Sequence, residues 1–172
     1  LHDALPIWYT DQAGELQQNV LDRLLKTAAY TEWGKKYEYK SISNYEEFKS
    51  RVPVQTYEEI KSYVERLRGG EQNLLWPSNI RWFAKSSGTT NDKSKFLPVS
   101  KESLKDTHYR GGQDAVTIYL SQNPESRFFS GKGLILGGSH SPNLNMKHSL
   151  VGDLSAILIQ NVNPLVNLIR VP

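Results

Sequence analysis

An α/β fold with a helical N-terminal segment is what this sequence predicts, and three observations carry the prediction. Apolar residues recur at helical spacing through the first third, as in "ELQQNVLDRLLKTAA" and "TYEEIKSYVERL". Further on, short apolar runs such as "NIRWFA", "KFLPV" and "GLILGG" alternate with helical stretches. Clusters of glycine, serine and asparagine punctuate the two textures, the arrangement of a layered α/β domain.

Taken in order, Leu16, Val20, Leu21, Leu24, Leu25 and Ala28 predict an amphipathic helix from about residue 15 to about residue 30, with Gly34 suited to stop it. Asn44 is a good N-cap for a short helix that would bury Tyr45 and Phe48. In "VPVQTYEEIKSYVERLRGG", Thr56 and Glu59 match a capping box. Tyr57, Ile60, Val64 and Leu67 form the apolar face, and Gly69–Gly70 end the helix. Residues 8–78 are therefore expected to be helical and 79–172 to be α/β. Residues 79–84 and 95–99 read as strands, the second an edge or strand end because Pro98 cannot donate to a ladder. Ser100 can cap a long helix with Leu104, His108, Gly111, Ala115 and Ile118 on one face, the Gly111–Gly112 pair marking close packing. Residues 133–138 read as a short strand, 141–149 as a polar loop, and "GDLSAILIQN" as a helix opened by Asp153.

Composition excludes several classes. Hydrophobic residues at 38% and charged residues at 23% are the balance of a globular chain. The net charge of +3, with no basic run of five or six, gives no argument for nucleic acid. No stretch approaches 18 uninterrupted apolar residues, so no membrane span is expected. The absence of cysteine rules out disulfides, a thiol nucleophile and a zinc–thiolate site, and agrees with a cytoplasmic protein. The opening "LHDALPI" has no signal-peptide pattern and reads as a foreign or misassembled segment. The closing "NLIRVP" reads as a cut inside a domain, so the chain is expected to be a fragment.

The chemistry concentrates in "KSSGTTNDKSK", residues 85–95. A phosphate cradle needs converging backbone N–H groups, hydroxyl donors and a cation. Ser86, Ser87, Thr89 and Thr90 supply hydroxyls, Gly88 permits close approach, and Lys93 or Lys95 supplies the charge. By composition alone the stretch reads at least as well as a solvated surface turn. The Walker pattern G-x-x-x-x-G-K-S/T is absent, and the glycines of "GKGLILG" precede a strand where a dinucleotide motif would follow one.

"SSGTTNDKSK" resembles the first signature loop of the adenylate-forming (firefly luciferase-like, acyl-adenylating) enzymes, whose common form is Ser/Thr-Ser-Gly-Thr-Thr-Gly-x-Pro-Lys. With "TEWGKKY", "VPVQTYEEIKSYVERL", "NLLWPSNIRWFAKSSGTTNDKSKFLPVS" and "GDLSAILIQN", the chain is similar to the Gretchen Hagen acyl-acid amido synthetases, the auxin-responsive promoter family. That resemblance implies part of the large N-terminal domain of an adenylate-forming enzyme. It implies ATP-dependent activation of a carboxylic acid as an acyl-adenylate and transfer to an amino acid, with ATP and Mg²⁺ as cofactors. It further implies that Ser86, Ser87, Gly88, Thr89 and Thr90 wrap the ATP phosphates and that Lys95 is the catalytic lysine. Asn91 stands where many relatives have Gly or Ala, and the lysine falls one residue late, so Lys93 competes for that role. The family's later acidic and ribose-binding motifs do not occur in this chain. A non-catalytic phosphate-binding module, or an adenylating ligase that uses a thiol such as coenzyme A, are the alternatives.

Other candidates point to structure. His140 and His148 are too far apart in sequence for a common metal spacing, and His108 falls on a helix face. Glu46–Glu47 and Glu58–Glu59 are adjacent on helices and diverge by about 100°. Trp33, Trp76 and Trp82 read as core. Ser130, Gly137 and Gly138 are expected to line the acyl side if residues 133–138 join the same sheet.

Overall fold

The structure, a computed structural model, describes residues 12–86, 94–168, 170 and 171, without the side chains of 167 and 168. The chain divides into two compact units, Leu1–Tyr63 with Glu71–Ser78, and Val64–Gly70 with Asn79–Pro172.

In the first unit α1 spans Ala13–Ala28 and buries Leu25 and Ala28, while Val20 and Leu24 stay largely exposed. Its end is set by Thr31 rather than by Gly34. The fully buried Thr31 hydroxyl donates to Ala28 O at 2.7 Å and accepts from Gly34 N–H at 2.9 Å, so one side chain closes α1 and caps α2 (Glu32–Lys36). Gly34 therefore sits inside α2, in the crook of the corner. Trp33 is core, tilted against Tyr37 with ring centres 4.8 Å apart and edge-on to Tyr63 at 5.3 Å. Trp76 is half-buried, with an indole N–H that finds no partner among the described residues.

In α3 (Tyr45–Arg51), Asn44 caps as expected, its Oδ1 accepting from Glu47 N–H at 3.0 Å. Phe48 is half-buried beside Tyr39, but Tyr45 is 57% exposed, because so short a helix has only one side turned inward. In α4 (Tyr57–Arg68) the carboxylate half of the capping box forms. Glu59 accepts from Thr56 N–H at 2.6 Å and from its hydroxyl at 2.7 Å. Val64 and Leu67 are buried, and Gly70 at φ 104° ends the helix in a conformation that suits glycine.

These bonds, the backbone one first, hold the Glu59 carboxyl below its ordinary pKa. A depressed folded pKa contributes stability above the unfolded value, which is lost as pH falls through the folded value. Thr56→Ala removes the hydroxyl donor. It is expected to raise the Glu59 pKa towards the ordinary range, read by an NMR titration of its side-chain carbonyl carbon, and to flatten the acid limb of stability. An unchanged titration would show that the hydroxyl contributes nothing.

The second unit is built on a three-stranded sheet in the order β2-β1-β3. β1 (Trp82–Lys85) is central, and β2 (Phe96–Val99) runs antiparallel to it from Trp82↔Val99 to Lys85↔Phe96. Pro98 accordingly lies on an edge strand. β3 (Leu150–Gly152) runs parallel to β1 in the register Trp82↔Leu150 to Ala84↔Gly152. Residues 133–138 are not a strand. Beyond one bridge from Gly133 to Arg170 they have no β-pairing among the described residues, and Leu134 and Leu136 are 68% and 85% exposed. The position beside β1 belongs to Leu150–Gly152 instead.

Ser100 caps the long helix as predicted, accepting from Ser103 N–H at 3.0 Å. The helix then passes through a π-helical stretch, Ser103–Tyr109, before the regular α5 (Arg110–Gln122). The wider turn moves the inward face from the predicted Leu104–His108–Gly111 series to Leu104 and Tyr109. Ala115 and Ile118 are exposed, and Gly111 and Gly112 have nothing within 4 Å of a built Cβ, so the pair marks no close packing. Ala84, Val99, Leu104 and Ile157 form the core with Trp82, Tyr109 and Leu158 against them, Ile157 and Leu158 belonging to α6 (Leu154–Asn161). The Tyr109 hydroxyl donates to Leu158 O at 2.8 Å, and burial raises its pKa.

Candidate functional site at the β1–β2 loop

Because β1 and β2 are antiparallel neighbours, the hydroxyl-rich stretch is the connection of a hairpin and hangs from the central strand. Beyond the last register pair, Lys85↔Phe96, Ser86 N–H donates to Lys95 O at 3.0 Å and extends the ladder by one rung. Ser86 is half-buried at this base and Lys95 is exposed. The structure thus brings together the two ends of the predicted site. Ser87, Gly88, Thr89, Thr90 and Lys93 lie outside the described residues.

A cation that sequence reading passed over stands beside the base. Arg68, the last residue of α4, lays its guanidinium 3.8 Å from the centre of the Phe96 ring and donates from Nη2 to Leu144 O at 3.0 Å. Nothing in "ERLRGG" announces this contact, since it joins residues 28 positions apart.

The remaining candidates resolve into packing. His140 is half-buried against Trp82, ring centres 5.5 Å apart, and bridges Gly152. His148 lies on Gly70, where a Cβ would meet its Cδ2 at 2.7 Å. Glu47 and Glu59 serve caps, Glu47 accepting from Ser43 N–H at 2.8 Å, while Glu46 and Glu58 are exposed. The Ser130 hydroxyl donates to Arg127 O within its own turn at 2.8 Å. Gly137 and Gly138 abut α6 and the residue before it, where a Cβ would run into the Ile159 side chain and the Asp153 carboxylate. The Asp153 contact gives Gly138 a packing reason, whereas the Ile159 side-chain end beside Gly137 can move aside. Among the described residues no group of three or more His, Cys, Asp or Glu could hold a metal ion, and no helix is long and apolar enough to cross a membrane. A cavity of about 390 Å³ in the first unit, floored by Leu25, Ala29 and Ile42, contains none of the predicted site residues.

A helical unit and a unit built on a small mixed sheet define an α/β class of domain. Residues 8–169 match the GH3 family N-terminal domain, and the chain belongs to the GH3 family. It is 30% identical over 130 residues to a jasmonoyl–L-amino acid synthetase of Nicotiana attenuata, covering 73% of this chain and 21% of that relative. It is 32% identical over 96 residues to the indole-3-acetic acid-amido synthetase GH3.2 of Arabidopsis thaliana, covering 55% of this chain and 18% of that relative. The solved structure of the GH3.15 acyl acid amido synthetase superposes with a TM-score of 0.74 at 24% identity, over 98% of this chain and 29% of that one, which shows the fold. The expected α/β class with a helical N-terminal segment is therefore the observed one. The chain spans about a fifth of the length of these curated relatives.

Proposed function

We propose that the intact protein activates a carboxylic acid with ATP and passes the acyl group to the amine of an amino acid. A carboxylate oxygen attacks the α-phosphorus of ATP and the bond to pyrophosphate breaks. The amine nitrogen then attacks the acyl carbon, AMP departs with the bonding pair, and the amine proton is released. The observation that carries this reading is the sheet-anchored hairpin whose connection reads SSGTTNDKSK, closed at its base by Ser86 and Lys95. Family membership supports it, as do relatives whose names describe acid–amino acid ligation.

In this reading the amides and hydroxyls of Ser86, Ser87, Gly88, Thr89 and Thr90 hold the triphosphate, and Lys95, with Lys93 as the alternative, neutralises charge that develops at the α-phosphate. The described residues offer no ligand set for Mg²⁺, which would enter as the cation on the triphosphate. An amine acceptor is preferred to a thiol because the named activities of the relatives are amide-forming.

The test is exchange of labelled pyrophosphate into ATP, expected only when a suitable acid is present. Lys93→Ala combined with Lys95→Ala is expected to lower that exchange by about a hundredfold or more, the usual loss for a transition-state charge contact. Undiminished exchange in the double variant would defeat the assignment of the loop. Product analysis with amino acids against thiols as acceptors decides the second step.

A further inference from the structure

We infer that Arg68 is a positioning residue for the closing end of the β1–β2 connection, acting through Phe96; its functional side rests on reading that connection as the phosphate loop. Three observations converge on it. The guanidinium lies 3.8 Å from the Phe96 ring centre, a distance that places it on the ring face. Its Nη2 donates to Leu144 O at 3.0 Å, which tethers the far end of the group. Its Nε is buried without a hydrogen-bond partner, and no carboxylate pairs with Arg68 among the described residues.

Among the described residues, stacking and a single hydrogen bond therefore hold this cation, where an ion pair would be the usual means. A residue serving only solubility or a surface salt link would not be built this way. What the stack grips is the first residue of β2, opposite Lys85 and one step inside the Ser86–Lys95 bond. Among the described residues β2 is an edge strand with no ladder on its outer side, and Phe96 pairs with Lys85 of β1 and carries Arg68 on its ring. Arg68 thus sets where the chain leaves the loop and rejoins the sheet. Its positive charge, which no carboxylate pairs with among the described residues, also raises the potential at that base, in the direction that favours a polyanion. Lysine replaces it at best in part, because an ammonium can sit over the ring but cannot lie flat on it while a second nitrogen donates to Leu144 O.

The experiment compares Arg68→Met, Arg68→Lys and Phe96→Leu, the last preserving apolar bulk. In this chain, amide hydrogen exchange at Ser86 is expected to accelerate about five- to thirtyfold in Arg68→Met and Phe96→Leu, the range for one cation–π contact between its exposed and desolvated limits. Amides of α1 should be unaffected, and Arg68→Lys should restore protection at best in part. In the intact protein, KM for ATP in pyrophosphate exchange is expected to rise about tenfold with KM for the acid unchanged. The Arg68→Met/Phe96→Leu double variant should be no worse than the weaker single one, since both remove the same contact. Unchanged Ser86 exchange in both variants, an equal acceleration across the whole second unit, or full recovery of the ATP KM by Arg68→Lys would each overturn the inference. Absence of acid-dependent exchange in the unsubstituted protein would instead defeat the adenylation reading, while the amide measurement still decides what Arg68 holds.

Discussion

Gly34→Ala is expected to destabilise the protein by about 3 kcal/mol or more, above the usual range for an added core methyl group. The reason lies in the corner between α1 and α2. Thr31 is fully buried and uses one hydroxyl twice, donating to Ala28 O and accepting from Gly34 N–H. That second bond draws the Gly34 peptide against the end of α1. A Cβ built on Gly34 collides with the Ala28 carbonyl oxygen, and lies 2.9 Å from its carbon and 3.1 Å from Ala29 Cα. All three obstacles are backbone, so no rotamer change relieves them. Opening the corner would break both Thr31 bonds and pull Trp33 from its place against Tyr37 and Tyr63. Against a total stability of roughly 5–15 kcal/mol, such a loss is large. Urea denaturation reads it directly. Gly14→Ala in α1 is the control: nothing lies within 4 Å of its Cβ, so the same substitution should stabilise the helix by up to about 1 kcal/mol. Equal midpoints for the two variants would show that the corner relaxes freely.

That corner also shows what kind of information the sequence carried. Gly34 reads as a helix stop on local grounds, and it does sit near a helix end, but its role depends on a carbonyl six residues earlier. Elsewhere local signals suffice. Asn44, Thr56–Glu59 and Gly69–Gly70 act within four residues of themselves, and each does what its chemistry demands. The sheet was harder, because a strand is defined by its neighbour. "GLILGG" has strand composition but no partner, whereas the three-residue "LVG" becomes β3 through parallel pairing with β1. Neither outcome is encoded in the segment itself.

The π-helical stretch before α5 is a further case. Apolar spacing there fits an α-helix, and only the packing of Leu104 and Tyr109 against α6 reveals the extra residue per turn. At the candidate site the two flanking strands were legible, while their antiparallel pairing to each other was not. Arg68 was not, since stacking across 28 residues leaves no mark in residue spacing.

Phe83→Ala is expected to lower stability by about 3–5 kcal/mol, the range for removing a fully buried phenylalanine side chain. Phe83 has no exposed surface and sits in the central strand, opposite Pro98 on one side and the equally buried Val151 on the other. Successive side chains on a strand alternate faces, so Phe83 lies across the sheet from Ala84, which belongs to the cluster with Val99, Leu104 and Ile157. The sheet is therefore buried on both faces at β1, and truncation leaves a void on the face that this cluster cannot fill. The urea midpoint should fall with an unchanged slope, because the surface exposed on unfolding is nearly the same. Phe83→Leu, which keeps most of the volume, should lose much less, about 1.5 kcal/mol or under. Functionally, Phe83 lies two residues before Lys85, where the hairpin's last register pair forms, yet it touches neither end of the Ser86–Lys95 bond by ladder pairing. Under conditions where the variant remains folded, its KM for ATP should match that of the unsubstituted protein, whereas Arg68→Met should change that constant. A raised ATP KM in fully folded Phe83→Ala would show that general packing of β1, and not the Arg68–Phe96 contact in particular, sets the geometry of the loop.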